Sequence, residues 1–127
     1  MNYIVEIILL IFLAITFLQS GYDKIADWKG NVSWLKSHFA NTFLADKVPF
    51  SVGIILILEI IAGIFALIGI ATLLINSSKE FAFLSAVFSC VVLLFLLFGQ
   101  RIAKDYDGAR TIVIYFIPAV FLVYLLN

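Results

Sequence analysis

The sequence predicts an all-α membrane protein: a four-transmembrane-helix bundle with an amphipathic interfacial helix between the first and second spans. Three observations predict it. The chain is 65% hydrophobic and 13% charged, where a soluble domain carries roughly a quarter charged residues. Its 127 residues are too few to hide that much apolar surface in one aqueous core. The apolar residues also gather into four runs near the roughly 20 residues that a helix needs to cross a bilayer. A single domain, 1–127, follows.

The first run, Ile4 to Leu18, is broken only by Glu6 and Thr16 and extends to Ser20, giving a span over about 4–20. Glu6 lies in its first turn, where the helix dipole favours a carboxylate. No Lys or Arg precedes the run, so it is expected to be a retained span rather than a cleaved leader. The second span, about 50–75, holds one charge, Glu59; the third, about 81–100, is uncharged as far as Gly99. The fourth, about 110–126, contains Pro118, which removes a backbone donor and predicts a kink. Each run must be helical because hydrocarbon offers no partner to an open backbone group.

Between the first two spans lies one long polar-amphipathic stretch. Asn31 is a candidate cap for a helix over about 31–44, with Val32, Leu35, Phe39 and Phe43 near helical spacing. Trp28 and Trp34 suit the headgroup boundary. Two readings stay open, a plain interfacial anchor and a lid folded over the bundle mouth. The turn after the second span is short. The loop after the third is crowded with charge, and its Asp107 is a candidate cap for the fourth helix.

Seven of the eight Lys and Arg residues lie in loops 21–49 and 100–110; only Lys79 lies opposite. The positive-inside rule puts those loops in the cytoplasm and both termini outside. Zero formal net charge gives no basic surface for nucleic acid. One Cys and one His exclude an internal disulfide, a thiolate cluster or a multi-His metal site within one chain. His38 is either a proton shuttle or a packed side chain.

Glu59 is the most informative residue. Nine residues past Phe50, it lies roughly 13 Å into the membrane, where a carboxylate costs several kcal/mol unless neutral, paired or hydrated. It should face the bundle interior. Ala62, Gly63 and Ala66 share its face and let a neighbour approach closely. Ser85, Ser89 and Gln100 share one face of the third helix, Thr111 and Tyr115 one face of the fourth. Two readings compete: a structural group that fixes helix register, and the lining of a pocket open toward the charged loops. At the mouth, Lys24 ends the first helix and Gln100, Arg101 and Lys104 end the third; such cations either snorkel or attract an anion or headgroup.

Three stretches resemble the DoxX-like family of small four-span bacterial membrane proteins. They are Ser20-Gly21-Tyr22-Asp23-Lys24-Ile25, then Glu59 followed by Ala62-Gly63, then Gly99-Gln100-Arg101-Ile102-Ala103-Lys104-Asp105-Tyr106. The resemblance implies a compact bundle in the bacterial inner membrane, related to a thiosulfate:quinone oxidoreductase subunit and to proteins coupling membrane thiol redox to soluble partners. It also implies a pocket at Lys24, Glu59, Gln100 and Arg101. The sequence holds no electron carrier of its own, so a redox role would need a bound quinone or a partner subunit.

The leading expectation is a subunit of a quinone- or thiol-linked redox system, binding a small amphipathic ligand near Glu59. Glu59 would relay a proton and Tyr115 would orient it. Lys24, Gln100, Arg101, Lys104 and Ser89 would contact the ligand, a quinone or a lipid. A non-enzymatic scaffold for a soluble partner is the second expectation. The third is a transporter or proton path, which needs a homo-oligomer because four helices leave little room for a pore.

Overall fold

A computed structural model describes residues 3–127, and its described residues form five helices. They are α1 (Ile4–Ala26), α2 (Trp28–His38), α3 (Val48–Asn76), α4 (Glu80–Ile102) and α5 (Tyr106–Leu126). The four long helices carry windows of mean hydropathy between 2.1 and 2.8, of which only 22% to 33% is buried within the protein. The rest is apolar surface that only acyl chains can cover at low cost. This is a multi-pass integral membrane protein built as an all-α bundle.

The helices pack around the bundle in the order α1, α3, α4, α5, and α5 closes more loosely back on α1. Small residues set the tight seams. Gly69 of α3 lies against the Ala82 backbone of α4, where a Cβ would fall 2.7 Å from the Ala82 Cα. Gly63 lies against Leu18 of α1, where a Cβ would fall 2.6 Å from the side chain. Without much hydrophobic drive between helices in lipid, such close approach supplies the packing energy. Ser85 donates to the Ala62 carbonyl across the α3–α4 seam at 2.7 Å. The core fills with Leu10, Leu13, Ala66, Leu73, Ala86 and Leu122, all essentially inaccessible. Most of that packing lies in the half of the bundle away from α2.

Several boundaries differ from the sequence expectation, each for a local reason. The first span runs two turns past Ser20 to Ala26, because Gly21 faces Ile60 of α3 rather than ending the helix. The amphipathic helix covers Trp28–His38, not 31–44, and its cap is Asp27, which accepts from the Gly30 N–H at 3.2 Å. Asn31 instead donates its side-chain amide back to the Asp23 and Asp27 carbonyls. Residues beyond His38 form turns and a short 3-10 segment, Ala45–Lys47, before α3 opens at Val48 with Pro49 in its first turn. Asp105, not Asp107, caps the last helix by accepting from the Gly108 N–H at 2.9 Å. Asp107 pairs with Arg110 on the surface. α5 continues without interruption through Pro118.

Both charged connections lie at one end of the bundle, where α2 folds back over α3. Val32 of α2 is buried with Val48 and Val52 of α3, and Trp28, Leu35 and Phe39 pack against them. Of the two readings of this stretch, a lid over the bundle describes the packing.

Candidate functional site

Glu59 is 2% exposed and turns inward from α3 toward α1. The i, i+4 spacing of Ser20 and Lys24 puts both on the α1 face that meets it. Ser20 Oγ donates to Glu59 Oε2 at 2.8 Å, and Lys24 Nζ donates to Ser20 Oγ at 2.7 Å. Lys24 Nζ also stands 2.9 Å from Glu59 Oε1. That approach is off hydrogen-bonding geometry, so Oε1 has an ion-pair partner but no hydrogen bond. The three side chains close a compact, charge-balanced triangle that runs from Lys24 in the last turn of α1 to Glu59 deep in α3.

Two cavities border this triangle, both at the α2 end. One, of about 370 Å³, lies under α2 between α3 and α4. Its walls are almost wholly apolar, with Leu35 of α2 and Phe39 just after that helix as roof and Val52 and Ile55 of α3 as floor. Its polar groups are Lys24, Ser51 and Gln100. Ile54 of α3 and Phe95 and Phe98 of α4 line it and are also exposed on the bundle's outer surface. Outward-facing apolar side chains thus flank the cavity on the α3 and α4 side. The second cavity, about 360 Å³, is a more polar cleft in the loose α1–α5 seam. Thr16, Gln19, Ser20, Asp23, Glu59 and Tyr115 line it. The Lys24–Glu59 pair stands between the two.

Gln100 also helps hold the roof. Its side-chain oxygen meets His38 Nε2 of α2 at 3.2 Å, and the same nitrogen stands 3.5 Å from Asp105 Oδ2. The His38 ring stacks on Trp34 at 4.8 Å between centroids and meets Phe39 edge-on at 5.1 Å. His38 is thus a packed side chain that links the lid to the end of α4 and the start of α5.

The structure brings Glu59, Lys24 and Gln100 around one region, as the sequence suggests, and adds Ser20. Tyr115 borders the cleft beside Glu59 and packs against Phe12 at 6.0 Å. Among the described residues the group holding the carboxylate is Ser20, not Tyr115. Ser89 is fully buried and spends its hydroxyl on the Ser85 carbonyl at 2.7 Å. Arg101 is exposed, stands 5.1 Å over the Tyr106 ring and lines neither cavity. Lys104 is exposed at the turn after α4, with a left-handed φ of 60°. The i, i+4 spacing of Ser20 and Lys24 is the sequence signal that points to Ser20. No protein-family model, curated protein or solved structure matches this chain.

Proposed function

We propose that this protein binds a small amphipathic molecule drawn from the bilayer, in the cavity beneath α2. One observation carries the reading: an apolar cavity flanked by the outward-facing Ile54, Phe95 and Phe98 also has the Lys24 and Gln100 side chains in its wall. Binding sites for small molecules have this makeup, mostly apolar walls with a few placed polar groups. The volume of about 370 Å³ fits a head with the first part of a chain, and the rest of the chain would pass between Ile54 and Phe98 into lipid.

The resemblance to DoxX-like proteins makes a quinone the expected occupant and the inner membrane the expected location, and the Lys and Arg bias of the loops makes the α2 end the expected cytoplasmic one. On that reading Glu59 would relay, through Ser20 or Lys24, one of the two protons that accompany two-electron reduction of a quinone. The electron source would be a partner, since the chain supplies none. A transport role is less well supported, because both cavities lie at the α2 end and the other half of the bundle is closed by its packed core.

Gentle purification followed by lipid and quinone analysis tests the binding reading. A stoichiometric small amphiphile should co-purify with the wild type and be lost from Gly99→Leu. A Cβ at Gly99, which lines the cavity, meets only the Phe39 ring, at 3.5 Å, so the added side chain starts in the cavity and not in a helix seam. Equal occupancy in both proteins would overturn the reading.

A further inference from the structure

We infer that the cavity beneath α2 selects a neutral, hydrogen-bond-accepting head and rejects an anionic one, because Glu59 has already neutralised the cavity's one cation. The inference rests on the binding reading above and specifies the chemical class of its ligand.

The argument is a count of charges and donors. Among the described residues Lys24 is the only charged one lining this cavity, and its ammonium faces the Glu59 carboxylate at 2.9 Å. The pair sums to zero. An anionic head placed beside it would bring an uncompensated charge into a dry, apolar space, which is costly. It would also compete with Glu59 for Lys24, and removing one partner of a buried ion pair leaves the other charge stranded. Arg101, the other cation that might have met an anion, lies outside the cavity over Tyr106.

Hydrogen-bonding capacity points the same way. An ammonium has three donors. Ser20 takes one and Glu59 engages at most one more, so at least one remains for an occupant. Gln100 spends its oxygen on His38, and its amide nitrogen turns toward Gly108 of α5, so the donor comes from Lys24. The site therefore offers a donor at zero net charge. A carbonyl or ester oxygen uses both properties; a carboxylate, sulfonate or phosphate uses only the first. Glu59 sets this preference from behind Lys24, as a specificity-determining residue rather than a contact.

The test compares two amphiphiles of one chain length, methyl palmitate and hexadecanesulfonate, binding to the full-length protein in nanodiscs at neutral pH. Wild type should prefer the ester by about tenfold or more, given the cost of burying an unmatched charge. Glu59→Gln keeps the Ser20 contact but leaves Lys24 unmatched, so sulfonate should gain about tenfold while the ester changes little. Lys24→Gln combined with Glu59→Gln restores zero charge and should restore the wild-type preference. Wild type preferring the sulfonate, or a ratio unmoved by Glu59→Gln, overturns the inference while the binding reading stands. Neither probe binding in a way that Gly99→Leu abolishes overturns both. The wild-type ratio decides the matter even where Glu59→Gln does not fold.

Discussion

Lys24 and Glu59, on different helices, place an ammonium and a carboxylate 2.9 Å apart in the interior of a membrane bundle. The relationship is asymmetric. Glu59 is almost fully buried, while the Lys24 side chain keeps 17% exposure, so the lysine comes in from the boundary to meet a fixed carboxylate. Its four-carbon stem allows that reach.

Breaking this pair from one side should cost more than replacing it whole. Lys24→Met strands a buried carboxylate, and such single removals cost about 3–5 kcal/mol. Lys24→Met with Glu59→Leu removes both charges and should lie much closer to wild type. Thermal unfolding in detergent of the two singles and the double closes the cycle. Additive losses would show that the pair contributes no coupling.

The helix seams predict a second contrast. Gly69→Ala drives a methyl group into the Ala82 backbone, which cannot move without shifting α4. Overpacking of this kind costs about 1–3 kcal/mol. Gly63→Ala clashes with the Leu18 side chain, which can change rotamer, and meets the Leu18 backbone nitrogen only at an ordinary 3.5 Å, so it should cost less. Denaturation midpoints of the two variants check the order, and a larger loss for Gly63→Ala would refute the account of the α3–α4 seam.

The lid should loosen when its link is cut. His38→Ala removes the contacts to Gln100 and Asp105 and the stacking partner of Trp34. A partly exposed hydrogen bond contributes about 1 kcal/mol, so the open population should rise about fivefold. Hydrogen exchange over Trp28–His38 reads this directly, with α4 as an internal control. Unchanged exchange in α2 would mean that Val32 and Leu35 packing alone holds the lid.

Much of this architecture was legible from sequence. Hydrophobic runs and the single charge of the second span were enough to place four helices and to turn Glu59 inward, because a carboxylate facing lipid is too costly. The same rule could not say what meets it. Ser20 and Lys24 reach Glu59 only because α1 stays helical through Gly21, and Gly21 does so because Ile60 packs on it. That is a tertiary fact in a residue that reads locally as a stop. Capping was misplaced for a similar reason. Asn31 and Asp107 each have a competitor upstream, Asp27 and Asp105, whose carboxylates reach the N–H groups of Gly30 and Gly108. Ser89 read as a polar stripe, but a buried serine with no outside partner bonds back to its own helix, as this one does.

Lys104 allows the sequence-suggested ligand role and the structural role to be separated in one substitution. Its φ of 60° is a left-handed conformation that costs an L-residue about 1–2 kcal/mol and that glycine adopts freely. Its backbone N–H donates to the Arg101 carbonyl at 3.1 Å, closing the turn that lets Asp105 cap α5. Lys104→Gly keeps that N–H and relieves the strain, so the thermal midpoint should rise. The side chain lines neither cavity, so ester binding beneath α2 should not change. If the variant instead lost ligand while folding as well as wild type, the lysine would belong to the site and the cavity boundary would have to extend beyond Gln100.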